Sequence, residues 1–316
     1  MEREAAEVLT LGESMVVFLP EAAGPLRHVD RFQRAVAGAE SNVAIGLRRL
    51  GHSVAWISRL GDDEFGRHIL STLRGEGVDV QSVETDPGAP TGIMFKERRS
   101  GADSRPLYYR AGSAASRLDA ARVPEGPFRG ARWLHLTGIT AALGPGPRAA
   151  VERALELARR HGLQVSFDPN YRARLWPAAE AAPVLRRLAA ACDALLIGAA
   201  EGGILYGTED PAEIALAAEA DGVACGAVKS GARGALVWER GDRCAIPAHP
   251  VVALEPTGAG DAFAAGWIAG RLEGLPVKDC GRLAAVCGAL ACTVAGDWEG
   301  APERVAADRA LAAWQA

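Results

Sequence analysis

Residues 255–274 read EPTGAGDAFAAGWIAGRLEG, a glycine-rich turn that opens into an apolar, helix-forming run. Glycines at 258 and 260 let backbone N–H groups converge at the positive end of a helix, which suits an anion or a phosphoryl group in transfer. Asp261 falls in the first turn of that helix and faces the same space. A carboxylate is a poor neighbour for a phosphate unless it takes a proton from an attacking hydroxyl. The five residues Thr257 to Asp261 equally fit a Thr-capped helix start with glycine for close packing, so their surroundings decide between the two readings.

Upstream of that turn, short β-rich runs alternate with longer helical patterns, the signature of βαβ units and a largely parallel sheet. The pattern predicts strands at 8–12, 54–61, 133–138, 165–168, 194–198, 226–231 and 235–239. It predicts helices at 41–50, 63–75, 147–161, 178–191, 211–220, 259–273, 279–295 and 303–314. Two stretches break the alternation, 14–35 and 92–110, the second with IMFKE and PLYYR around a turn-rich SGADSR. Both read as hairpin-like strands of a small β-sheet appended to one edge of an α/β core, a position from which a sheet can act as a lid. The expected organisation is one domain over residues 1–316, with the lid formed by about 14–35 and 91–113. No internal repeat or long linker interrupts it.

Four further constellations carry polar groups to strand and helix ends. Near the N-terminus, AGAESNVA (37–44) places Gly38 and Asn42 where a helix begins, suited to a polyhydroxyl substrate or, equally, to a plain helix cap. Asp168-Pro169-Asn170-Tyr171-Arg172 follows a presumed parallel strand at its carboxyl end, where open α/β sheets place ligands. Arg172 there offers a planar donor fork for phosphate or carboxylate, although a Pro-Asn turn with a solvated Arg is the plain alternative. Tyr108 and Arg110 share one face of a lid strand by the two-residue period. Lys229, Gly231 and Gly234 lie in a turn between two strands whose glycines can admit a nucleotide. Neither a Walker sequence nor a G-x-G-x-x-G after the first strand is present, which disfavours the commoner nucleotide folds and a dinucleotide-dependent dehydrogenase.

Composition removes other classes. Lys+Arg 35 against Asp+Glu 39 gives a net charge of −4, without the basic stripe that nucleic-acid binding needs. The uncharged run Leu283 to Gly296 is shorter than the ~20 apolar residues of a membrane span and reads as a packed helix. The N-terminus MEREAAEVLTLGE is acidic where a secretory signal is basic, so the expected location is cytoplasmic. The 6 cysteines show no C-x-x-C pair and read as buried free thiols. The 6 histidines show no metal-ligand spacing, and His135 reads as a hydrogen-bonded core residue.

Taken together, AGAESNVAIGLRRLG with RLGDDEFG, and EPTGAGDAFAAG about 200 residues later, resemble the two signatures of the ribokinase/PfkB family of sugar kinases. LYYRAGSAAS, LHLTGI, DPNYRARLW and GDWEGAP resemble its 2-keto-3-deoxygluconate kinases. The resemblance implies a ribokinase-like three-layer α/β sandwich with a mainly parallel central sheet plus the β-sheet lid. It implies ATP-dependent phosphorylation of the terminal hydroxyl of a sugar acid, with ATP and Mg2+ as cofactors. Asp261 would be the base; Gly258, Ala259 and Gly260 the anion hole; Arg172 a bridge between substrate and γ-phosphate. Gly38, Asn42, Tyr108, Arg110, Ile139 and Asp297 would contact substrate, while Asn170, Lys229, Gly231 and Gly234 would lie at the nucleotide. The family's N-x-x-E element is similar to Gly198-Ala199-Ala200-Glu201, so Glu201 would serve the metal while the amide is missing. Glu255 stands where the family has Asp. Partners implied are a small sugar acid and ATP, with no nucleic acid and no membrane, and a homo-oligomer formed through the lid sheet. Fructokinase chemistry, another PfkB-family sugar kinase, or a non-catalytic sugar or nucleotide sensor are the alternative readings.

Overall fold

The computed structural model describes residues 5–100 and 103–315. The chain opens with β1 (Val8–Leu11), β2 (Met15–Pro20), β3 (Phe32–Ala37), α1 (Ala39–Arg49), β4 (Val54–Gly61), α2 (Glu64–Gly75) and β5 (Val83–Asp86). A hairpin of β6 (Ile93–Ser100) and β7 (Asp103–Tyr109) precedes β8 (Trp133–Thr137), α3 (Gly138–Ala142), α4 (Pro145–His161), β9 (Gln164–Asp168) and α5 (Ala178–Ala190). Then come β10 (Ala194–Gly198), α6 (Ala199–Leu205), α7 (Pro211–Ala220), β11 (Cys225–Lys229), β12 (Ala235–Glu239) and β13 (Asp242–Ile246). Three helices close the chain: α8 (Ala259–Leu272), α9 (Val277–Ala291) and α10 (Arg304–Gln315).

Among the described residues, nine strands form one sheet in the order β13-β12-β11-β10-β9-β8-β1-β4-β5. The strands from β11 to β5 run parallel, whereas β12 and β13 are added antiparallel at one edge. Fully buried runs such as VAWISRLG in β4 suit a central parallel strand, because crossover helices cover both faces. Side-chain alternation then divides the interior. Val8, Trp56, Leu196 and Ala227 join α1, α8 and α9 in one core, while Leu9, Ile57, Leu134 and Leu195 join α4, α5 and α7 in the other. The result is three layers, helices on a sheet on helices. The chain steps from β1 to β4 on one side and returns to β8 on the other, so the strand order reverses at β1, the place where open α/β sheets leave a crevice.

The second sheet has the order β3-β2-β6-β7. One of its faces carries Met15, Val17 and Met94 in a buried cluster with Tyr108 packed against it. By the two-residue period Lys96 shares that face. The opposite face carries aromatic rings, with Phe18 and Phe95 stacked at 4.9 Å and Phe65 of α2 edge-on to Phe18.

Several boundaries differ from the sequence reading. The hairpin strand expected to stop at 35 continues to Ala37, and much of SGADSR is strand, with residues 101–102 outside the described residues. Residues 1–4 of the acidic N-terminus also lie outside them. The helix expected over 279–295 ends at Ala291, so Leu283–Gly296 is helical only in its first part; Gly296 has φ +134°, which a helix cannot continue through. The strand expected to reach 231 ends at Lys229. β5, β13, α3 and α6, each of 7 residues or fewer, are elements that the sequence reading does not contain. Of the cysteines, 192, 225, 280 and 287 are buried, but Cys244 and Cys292 are half-buried. No helix among the described residues is long and apolar enough to cross a membrane.

Helices α1 and α8 meet at Gly46, where an added Cβ would stand 2.8 Å from the Ala265 Cβ. Gly46→Val is therefore expected to cost about 1–3 kcal/mol through overpacking, measured as a lower denaturation midpoint. Gly75→Ala, whose new methyl meets nothing within 4 Å, should leave the midpoint unchanged or slightly raised.

Candidate active site

Two helices point their N-termini at the carboxyl edge of the large sheet. α1 begins at Gly38 and α8 at Gly258, and neither receives a side-chain cap. By contrast, α2 and α7 are capped by Asp63 and Asp210. The Thr257 hydroxyl donates to Glu255 Oε1 at 2.8 Å, so the Thr-capped start is not what forms here. Two uncapped helix starts leave first-turn N–H groups and the positive ends of both dipoles directed at one region. Gly258 is required on two counts: its φ is +77°, and a Cβ would lie 1.6 Å from the Asp297 carbonyl oxygen. At Gly260 the space a Cβ would fill is open, its only near neighbour being Lys229 Nζ at 3.6 Å.

Asp261, third residue of α8, accepts a hydrogen bond from Asn42 Nδ2 in the first turns of α1 at 2.8 Å. The residue keeps partial exposure. Removal of its carboxylate from water is the largest influence on it and pushes its pKa up to about 7. The Asn42 hydrogen bond opposes that rise, Asp168 adds to it, and Arg172 and Lys229 oppose it. Asn42 Oδ1 is buried without a partner among the described residues, which leaves an acceptor for a hydroxyl.

The ends of β9, β10 and β11 supply a second group of charges. Asp168, the last residue of β9, accepts from Lys229 Nζ at 2.5 Å and from the Asn170 N–H at 3.0 Å. Asn170 sits at φ +40°, so the turn after β9 is tightly fixed. Burial works against the Lys229 charge, yet Asp168, Glu201 and Asp261 outweigh it and its pKa lies above the ordinary lysine value. Glu201 accepts from the Tyr171 N–H at 2.6 Å and the Gly198 N–H at 2.8 Å. Its pKa is raised by burial and by Asp168. Arg172 is exposed and makes no ion pair among the described residues, although it is close enough to Asp261 to lower its pKa. Gly231 is exposed, while Gly234 is buried against the Ile246 carbonyl, so protein already fills the space at that glycine.

Toward the small sheet, Tyr108 and Arg110 lie together, the guanidinium carbon 5.6 Å from the ring centre. Arg110 follows the end of β7 and does not stand free. Its Nε donates to Glu13 Oε2 at 2.7 Å and its Nη2 pairs with the same oxygen, while Ser113 Oγ donates to Glu13 Oε1 at 2.5 Å. Nη1 of Arg110 has no hydrogen bond among the described residues. Ile139, half-buried in α3, donates its N–H to Thr137 Oγ1. Asp297 pairs with Lys96 Nζ at 3.0 Å. Burial raises the Asp297 pKa and Lys96 opposes the rise.

Three carboxylates of this region were not singled out by the sequence. Glu13 neutralises Arg110. Glu40, fully buried, accepts from Thr137 Oγ1 and Thr140 Oγ1, both at 2.7 Å, and burial raises its pKa. Asp168, quoted only as the start of a turn, is the counter-ion of Lys229. Their adjacency to motif residues, as in AGAES and LGES, was the available signal. His135 is fully buried, bonded through Nδ1 to Ser166 Oγ at 2.9 Å, and burial lowers its pKa to about 4.

With this geometry in place, comparison with known proteins is informative. The profile of the pfkB family carbohydrate kinases matches residues 5–304. The 2-dehydro-3-deoxygluconokinase of Thermoproteus tenax is 39% identical over 319 residues, covering 98% of this chain and 97% of the relative. That of Bacillus subtilis (strain 168) is 38% identical over 301 residues, covering 94% and 93%. Among solved structures, a putative ribokinase II from E. coli in complex with ATP and Mg2+ superposes with a TM-score of 0.91 at 26% identity, covering 98% of this chain and 99% of that one.

The raised carboxyl has a consequence for stability. Between the unfolded value of 3.8 and the folded value of about 7, the native state keeps a proton that the unfolded chain has lost. Asp261 therefore withdraws stability progressively as pH climbs through that window. Asp261→Asn should melt higher than the parent at pH 8, with the gap closing toward pH 4; a gap independent of pH would mean that the carboxyl is not perturbed.

Proposed function

Because the chain belongs to the pfkB family of carbohydrate kinases and carries their ribokinase-like α/β fold, we propose that it phosphorylates the terminal hydroxyl of 2-dehydro-3-deoxygluconate, giving the 6-phosphate. The observation that carries this reading is the Asn42–Asp261 hydrogen bond, which sets a carboxyl of pKa about 7 between two uncapped helix starts. The sugar-acid choice is supported by the two 2-dehydro-3-deoxygluconokinase relatives and by Arg110, whose Nη1 is left for a substrate carboxylate.

In this mechanism the Asp261 carboxylate accepts the proton of the attacking hydroxyl. The freed oxygen forms its bond to the γ-phosphorus of ATP as the bond to the β-bridging oxygen breaks and ADP leaves. The N–H groups of Gly258 and Gly260, with Arg172, take the charge that grows on the equatorial oxygens, and the Ala259 N–H, which donates to the Pro256 carbonyl at 3.3 Å, must turn from it to join them. The open space at Gly260 beside Lys229 Nζ is the cradle that suits a phosphate there. Gly38, Asn42, Tyr108, Ile139 and Asp297 orient the sugar acid, while Asn170 and Gly231 border the nucleotide.

Among the described residues, no group of three His, Cys, Asp or Glu side chains is arranged to hold a metal by itself. That donor set fits Mg2+, which is held mainly by phosphate oxygens and water. Glu201 is the side chain in place to order those waters, because its two hydrogen bonds leave further lone pairs. Bound there, the ion would supply charge neutralisation to the phosphates. The small sheet, in this reading, closes as a lid that keeps water from the phosphoryl group.

The test is ADP release over a panel of gluconate- and galactonate-derived 2-keto-3-deoxy acids, fructose, ribose and adenosine. The 2-keto-3-deoxy acids should give the highest kcat/KM; a preference for fructose would replace the substrate assignment. Asp261→Asn should lose at least ~100-fold in kcat while retaining sugar-acid binding. The parent's kcat/KM should fall about tenfold per pH unit below about 7, where the base becomes protonated.

A further inference from the structure

Lys96 is a charged residue on the small sheet whose side chain is 9% exposed and leaves that sheet altogether. Its Nζ stands 3.0 Å from Glu255 Oε1 and 3.0 Å from Asp297 Oδ2. Glu255 begins the turn that ends at Asp261, and it also accepts from Thr257 Oγ1 at 2.8 Å and from the Gly296 N–H at 3.3 Å. Asp297 presses its carbonyl oxygen against Gly258, the N-cap of α8. Both carboxylates that flank the anion-binding turn are thus tied to one ammonium from another sheet. Burial disfavours that ammonium, but Asp297 and Glu255 outweigh the effect and keep it charged.

We propose that Lys96 is a positioning residue: it offsets part of the negative charge of Glu255 and Asp297 beside the turn 258–260, one ammonium against two carboxylates, and so lets that turn accept the phosphates of ATP while linking the turn to the small sheet. This rests on the kinase reading above and adds to it the device that lowers the negative charge facing the phosphate region. Two unpaired acids there would repel an incoming polyanion, and their cost is larger because the site is partly buried. Position on an inward face of β6 brings the cation in from outside the three layers around the large sheet, so that the turn and the small sheet share one electrostatic contact.

Lys96→Met in the full chain tests this, with ATP affinity read by calorimetry and turnover read by ADP release. ATP binding and kcat/KM are expected to fall about tenfold. Glu255→Gln removes one of the two negative charges with little change of shape, so in the Lys96→Met background it should recover much of that loss. Alone, it should tighten ATP binding. A simple structural strut would behave differently: the double variant would be worse than either single one, and Glu255→Gln alone would weaken binding. That pattern, or unchanged ATP affinity in Lys96→Met, would overturn the proposal. The calorimetric measurement needs no sugar, so failure of the substrate assignment appears separately, as a parent protein that binds ATP but phosphorylates none of the panel. If Lys96→Met does not fold, Glu255→Gln alone still decides, through the direction of its effect.

Discussion

One hydrogen bond, from Asn42 Nδ2 to Asp261 Oδ2, joins the two halves of the site across 219 residues of chain. It exists only because α1 and α8 lie side by side, with Gly46 admitting Ala265, and because both start at the same edge of the sheet. Close packing of the helices fixes where their N-termini fall, and the N-termini fix where an anion can be received. The amide does two things at that junction. It holds the carboxylate in direction, and it restrains the pKa rise that burial imposes. A splaying of the helices by a fraction of an ångström at the crossing would weaken both effects together, since hydrogen bonds of this kind lose strength steeply with geometry.

Around that junction each buried cation meets at least one carboxylate. Lys229 is held by Asp168, Arg110 by Glu13, and Lys96 by Glu255 and Asp297. Each pair removes a buried charge that would otherwise cost several kcal/mol. The arrangement means that the folded chain does not depend on a bound anion to be electrostatically tolerable. In the proposed reaction, attraction for a polyanion would come chiefly from backbone N–H groups, helix dipoles and Arg172, which makes no ion pair among the described residues, with Lys229 contributing only what Asp168 leaves. Fixed dipoles of this sort need no reorganisation as charge develops, which is the property phosphoryl transfer calls for.

The central sheet was readable because its strands are buried on both faces and therefore written as continuous apolar runs. WLHLT, ALLIG and VAWISRLG are separated by helices with their own signals, such as Pro145 at the first turn of α4 and Gly162 in the left-handed conformation after it. What failed to show was short or set by distant partners. β5 and β13 are edge strands of 4 and 5 residues, held by neighbours that no local window contains. The end of α9 at Ala291 was invisible because the run continues apolar to Ala295, and only the pairing of Leu254 and Glu255 N–H groups with the Cys292 carbonyl shows why the chain turns away there. In the candidate site, the motifs exposed Asp261, Asn42, Arg172 and Lys229, which the structure brings to one region. They could not expose Glu13 or Lys96, since a counter-ion is defined by the charge it meets, and that charge lies 97 and 159 residues away, nor Glu40, whose hydroxyl partner Thr137 lies 97 residues away.

Burial is the largest influence on Asp261, and this has a consequence for how the site must work. A carboxylate at its ordinary pKa is a weak base toward an alcohol; raised to about 7 it is roughly a thousandfold more basic and still about half ionised at neutral pH. The arrival of a phosphate beside it adds negative charge and pushes the same way, toward protonation. Unopposed, that push would disarm the base at the moment it is needed. Arg172 and Lys229 lower the Asp261 pKa, and Lys229 Nζ also borders the open space at Gly260. In the proposed reaction the same cations would serve two charges at once, offsetting part of the phosphate's field so that Asp261 stays ionised until it takes the hydroxyl proton.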